Sequence, residues 1–167
     1  MNTELEELYQ QVLLDHSKRP RNFGELGEGA VHVHGDNPAC GDEIHLHVRF
    51  GEGGRVDEMR FTGQGCAISQ ASASLMTVKL KGKSRMEAME LARAFQDVVM
   101  RPIPSDEGEA TTKLPPGFGD LSVFTGVRKF PQRVKCAMLP WRAFEQALGG
   151  AGGGDGNVST ENEADGR

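Results

Sequence analysis

The stretch AVHVHGDNPACGDEIHLHVRF, residues 30–50, decides the fold. Apolar and polar side chains alternate with period two on both sides of its centre. Val31 and Val33 fall on one side of the chain, His32 and His34 on the other. Farther on, Ile44, Leu46 and Val48 oppose His45, His47 and Arg49. Residues 30–34 and 43–50 therefore read as two strands with one buried face. Pro38 and Gly41 shape the loop between them, around Cys40. A link this short joins antiparallel neighbours. Gly51 to Gly54 reads as a turn into a third strand, Arg55 to Thr62, which completes a meander.

Helical signals flank this sheet. Thr3 and Glu6 have capping-box spacing, and Leu5, Leu8, Val12 and His16 share a helical face; Pro20 stops that helix. After the third strand, Gly63 and Gly65 allow a sharp turn, and a helix is expected from about Cys66 to Gly82. Its small residues, Ala71 to Ser74, permit close packing on the sheet. Ser84 and Glu87 form a second capping box, opening a helix to about Met100. Residues 101–120, rich in Pro, Gly and acid, read as a long loop. LSVFTGV, 121–127, reads as a short helical element, and Pro131 opens a last helix to about Leu148. Val134, Met138, Trp141, Phe144 and Leu148 recur on it at spacings of three and four. The fold class expected is α+β, a small three-stranded antiparallel sheet packed against helices.

Residues 1–148 are expected to form one domain. From Gly149 the chain runs GGAGGGDGNVSTENEADGR, with one valine as its only large apolar side chain. Such a segment buries too little to offset its ordering entropy, so 149–167 reads as a disordered, Gly-rich acidic tail. Four acids and one arginine in it supply −3 of the net charge of −5, leaving the domain nearly neutral. That excludes the basic footprint of a nucleic-acid binder. No apolar run reaches membrane-span length, and MNTELEELYQ is unlike a signal peptide, so a soluble cytoplasmic protein is expected.

Three cysteines, an odd number in a chain read as cytoplasmic, argue against a disulfide framework and for thiols that bind metal or do chemistry. Cys40 lies in the loop of NPACGD. Cys66 sits at a helix start, where free N–H groups favour a thiolate. Cys136 lies early in the last helix, beside Arg133 and Lys135. Taken singly, a buried inert thiol is the simpler reading of each. Together, each at the edge of an element with a glycine or a cation beside it, they favour chemistry. Three thiolates need a fourth ligand around a tetrahedral ion, and Asp42, two residues after Cys40, can face the same side of an extended chain. The histidines compete for that place. His32, His34, His45 and His47 read as polar sheet surface, with His34, nearest the Cys40 loop, as the alternative ligand. His16 reads as an interaction with its own helix end.

DNPACGD (36–42), GQGCAISQASASLM (63–76), RVKCAMLPW (133–141) and the opening DHSKRPRNFG (15–24) together resemble the SufU branch of the IscU/NifU N-terminal family of iron–sulfur assembly proteins. The resemblance runs in order through residues 1–148 and implies a SufE/NifU-like fold. Its three cysteines match Cys40, Cys66 and Cys136, and its aspartate matches Asp42. IscU-type members have histidine where this chain has Lys135, and they carry an LPPVK stretch that is absent here. The 101–120 segment resembles the SufU-type insertion. What the resemblance implies is zinc held by Cys40, Asp42, Cys66 and Cys136, with iron or an iron–sulfur cluster on the same ligands as the alternative. It further implies a sulfurtransferase in which Cys40 is the catalytic nucleophile. A SufS-type cysteine desulfurase would donate persulfide sulfur, and a SufBCD-type scaffold would receive it. The alternative function is a scaffold that assembles and transfers a cluster.

Overall fold

A computed structural model describes residues 3–101, 118–149 and 155–159, with side chains over 7–101 and 118–149. Helix α1 (Thr3–Lys18) leads into strands β1 (Val31–Asn37), β2 (Asp42–Phe50) and β3 (Val56–Gln64). Helices α2 (Ala67–Leu80) and α3 (Arg85–Met100) follow, then a 3₁₀ segment (Gly119–Lys129), helix α4 (Pro131–Gly149) and strand β4 (Asp155–Ser159).

The meander forms as its alternation requires. β1 pairs antiparallel with β2, placing His32 opposite His47 and His34 opposite His45, and β2 pairs antiparallel with β3. Val31, Val33, Ile44, Leu46, Val48, Met59 and Phe61 are buried on the inner face. Against that face lie α2 and α4, with α1, α3 and the 3₁₀ segment outside them. The core closes around Trp141, which stacks on Phe95 at 4.4 Å between ring centres.

The sheet has a fourth strand. β4 pairs parallel with β1, giving the order β3-β2-β1-β4. This corrects the expectation of disorder for residues 155–159; 150–154 and 160–167 lie outside the described residues. Composition argued against a core segment. An edge strand, however, is held by main-chain hydrogen bonds to the free rim of β1, which need no apolar side chains.

Two helix readings change as well. On α1 the face turned to the core carries Tyr9, Val12, Leu13 and His16, while Leu8 is exposed. The small residues of α2 serve helix contacts more than the sheet. Ser72 donates to the Ala137 carbonyl of α4 (2.6 Å) and accepts from Trp141 Nε1 (3.0 Å), while Ser74 meets α1. The capping box on α3 forms with both of its hydrogen bonds. The expected box at Thr3 and Glu6 and most of the 101–120 loop fall outside the described side chains.

Candidate metal centre

Four elements bring the site together. The loop 38–41 is pinned by hydrogen bonds from the Cys40 and Gly41 N–H groups to the Asn37 carbonyl, at 3.1 and 2.9 Å. Gly41 has φ +73°, so the chain between Cys40 and Asp42 is a left-handed turn rather than extended. The two side chains still converge. Cys40 Sγ, an Asp42 carboxylate oxygen and Cys136 Sγ all lie within 4.8 Å of one another. Asp42 begins β2, pairs with Asn37 and is buried.

Cys66 approaches from the start of α2. It is the N-cap of α2, and its backbone N–H donates to Asp42 Oδ1 at 2.8 Å. Its sulfur lies 3.8 Å from Asp42 Oδ2. One carboxylate thus satisfies a helix N-terminus and faces the thiols. Gly65 permits this approach. Its φ is +146°, and a Cβ there would strike the Asp42 side chain. At Gly63 a Cβ would strike the Glu43 carbonyl, so β2 and β3 come close only because both positions are glycine.

The electrostatics divide the thiols. Cys66 is lowered to about 6, chiefly by the hydrogen bond from Cys136 and then by the N–H groups of Ser69 and Ile68 at the start of α2. Cys136 is pushed up, because it gives that hydrogen bond to Cys66 and is buried. Arg133 is exposed on the first turn of α4. The negative charge it faces at Cys66, Cys136 and Cys40 raises its own pKa. Accessibility divides the thiols too: Cys40 is exposed, Cys66 half-buried and Cys136 buried.

Cys40, Asp42 and Cys136 are therefore gathered although almost a hundred positions separate them, while Cys66 stands outside that group and meets it through Asp42. Of the two expected cations, Arg133 faces the thiols; Lys135 is half-buried. One contributor escaped the sequence reading. Asn37 is fully buried, its Nδ2 donates to Cys136 Sγ at 3.6 Å, and its Oδ1 has no partner among the described residues. Its signal was its place in DNPACGD, one residue before Pro38. The donor chemistry fits a borderline-soft divalent ion: three thiols and one carboxylate, enough for a closed tetrahedral set.

The histidines do not join this centre. They lie on the outer face of the sheet, His32, His34 and His45 half-buried and His47 buried, so they are less open to solvent than expected. His16 is buried and bonds Ser74 Oγ at 2.7 Å instead of its own helix end. Among the described residues, no helix is long and apolar enough to cross a membrane.

Comparison with known proteins supplies the family. Residues 8–137 match the family model described as NifU-like N terminal domain. The chain is 40% identical over 154 residues to the zinc-dependent sulfurtransferase SufU of Bacillus subtilis (strain 168), covering 92% of this chain and 98% of that one. It is 42% identical over 146 residues to the iron–sulfur cluster assembly scaffold protein IscU of Streptococcus pyogenes serotype M1, covering 87% and 86%. A crystal structure described as an iron–sulfur cluster assembly scaffold for the SUF system, from Fervidobacterium islandicum AW-1, matches with TM-score 0.72 at 29% identity, covering 88% and 99%. With the model spanning most of the domain and two relatives matched nearly end to end, this chain is a member of the NifU-like N-terminal domain family of iron–sulfur cluster assembly proteins.

Proposed function

We propose that this chain is a zinc-dependent sulfur acceptor. It takes persulfide sulfur from a SufS-type cysteine desulfurase on Cys40 and passes it to a SufBCD-type scaffold in the cytoplasm. The observation that carries this is the gradient of exposure across the centre: Cys40 is open on a loop, while Cys136 and Asp42 are buried. The zinc-dependent relative supports the choice of metal. Cys40, Asp42, Cys66 and Cys136 would hold the ion. When bound, it would keep the thiols deprotonated and add no redox chemistry of its own.

The residues have distinct tasks. The Cys40 thiolate attacks the outer sulfur of the partner's persulfide. A new S–S bond forms on Cys40, the partner's S–S bond breaks, and the partner's cysteine leaves as a thiolate, with no net oxidation. A ligand in a glycine turn can swing towards a partner more readily than one fixed in a helix. Cys66 and Cys136, anchored in α2 and α4, keep their places, and Asp42 holds its orientation through the Cys66 N–H. Arg133 offsets the negative charge that collects at the three sulfurs.

A second reading, a scaffold that builds and hands on a cluster with these ligands, is favoured by the S. pyogenes relative. Metal analysis with a desulfurase assay separates the two. A colourless zinc protein that raises desulfurase turnover supports sulfur acceptance. A brown protein that leaves turnover unchanged and donates an intact cluster supports the scaffold.

A further inference from the structure

The outer face of the sheet holds a second set of donors. His34 on β1 stands directly opposite His45 on β2, and Glu43 lies two residues from His45 on the same face. His34 Nε2 is 2.9 Å and His45 Nε2 3.5 Å from the same oxygen, Glu43 Oε2. One ligand atom from each of the three lies within 4.8 Å of the others. Ligands about 2.0–2.1 Å from a tetrahedral zinc stand roughly 3.3 Å apart, so these spacings are close to those an ion requires. We propose that His34, Glu43 and His45 bind a divalent cation of the zinc, cobalt, nickel or copper class, at a site separate from the cysteine centre.

Support behind the ligands strengthens the case. A metal-bound imidazole holds its orientation by donating its other N–H to a neighbour. His45 has that neighbour: its Nδ1 is 3.1 Å from His32 Nε2. This hydrogen bond can run in either direction. With Nδ1 as the donor, His45 offers the Nε2 lone pair to an ion without losing its contact to His32. His32 in turn stacks on His47 at 4.6 Å with the rings 11° apart, and His34 packs on His45 at 4.7 Å. The ligands ride on paired strands, which hold geometry better than loops. Their side chains are 32–40% exposed, so an ion can enter and can keep a water or a partner's group in its open position. Two imidazoles and one carboxylate suit borderline cations rather than magnesium or calcium.

The two centres sit on opposite sides of one strand. Asp42 and Glu43 are neighbours in β2, and alternation turns Asp42 to the buried face and Glu43 to the outer one. The cysteine centre prefers thiolate chemistry, whereas this one has none, which makes their occupancy separable.

The test uses the full, untagged chain, dialysed to equilibrium against zinc, with bound metal counted per chain. Two equivalents are expected for the parent. A double variant, His34→Gln with His45→Gln, is expected to keep one equivalent and the parent's melting temperature. Cobalt distinguishes the centres: the first equivalent gives strong near-ultraviolet thiolate bands, and the second adds only weak visible bands. His32→Ala, which removes no ligand, should weaken the second equivalent by about ten- to a hundredfold. A parent that binds one equivalent, or a second equivalent that survives the double variant, overturns the proposal. Neither result bears on sulfur acceptance by Cys40.

Discussion

At the residue scale the centre depends on unequal side chains of one type. Cys40 is exposed and Cys136 fully buried, so their alanine variants should differ in kind. Cys40→Ala is expected to retain the fold and lose sulfur acceptance, whereas Cys136→Ala should lose zinc. Metal content and melting temperature check both, and a Cys40→Ala chain that merely melts early would point to a purely structural ion. Asn37→Ala removes the buried donor to Cys136 and should cost about 1–3 kcal/mol in denaturant unfolding. His16 gives a pH prediction. Ser74 Oγ accepts the Arg21 N–H and also pairs with His16 Nδ1, which holds the ring in the core. Burial, with help from Arg21, holds the His16 pKa below its ordinary 6.5. The unfolded chain thus binds the proton more tightly. This contribution to stability is full above about pH 6.5 and is lost as pH falls through the folded value. His16→Gln should flatten the decline in stability below pH 6.5, measured by urea unfolding; an unchanged slope assigns the decline to other groups.

Among elements, the junction of β3 with α2 is the point of greatest constraint. Gly65 combines a positive φ with contact against Asp42. Gly65→Ala should therefore damage the metal centre more than the core, lowering zinc affinity by at least about tenfold while the far-ultraviolet spectrum persists. On α4, Trp141→Phe strips one donor from Ser72 and should cost about 1 kcal/mol, visible in denaturant unfolding. Strands β1 to β3, α2, α3 and α4 were legible in the sequence because period-two alternation, a Ser84–Glu87 box and three-four spacing each record a local physical demand. The buried face of α1 was less so. Leu8 and Tyr9 are adjacent, and only packing against α2 decides which of them turns inward. Cys40, Asp42, Cys66 and Cys136 were singled out through their motifs, but Asn37 was not, because an asparagine before proline has an adequate local explanation as a turn residue.

For the whole molecule, the sheet edge is what composition could not foresee. β4 pairs with the rim of β1, and its sequence DGNVS leaves no hydrophobic pattern to read. Removing residues 150–167 should speed amide exchange at His32 to Asp36 while leaving β3 protected; unchanged exchange in β1 would mean that the strand contributes nothing there. The centre itself is a product of the global fold, with the proposed ligands drawn from a loop, a strand and two helices between positions 40 and 136. That arrangement, with Cys40 exposed, Cys66 half-buried, and Cys136 and Asp42 buried, is the basis for proposing transfer on Cys40. The most direct measurement mixes the zinc-loaded chain with a SufS-type desulfurase and cysteine, traps the products, and maps persulfide by mass spectrometry of peptides. The extra sulfur is predicted on Cys40, with Cys66 and Cys136 unmodified. Persulfide on Cys66 or Cys136 while Cys40 remains bare would contradict it.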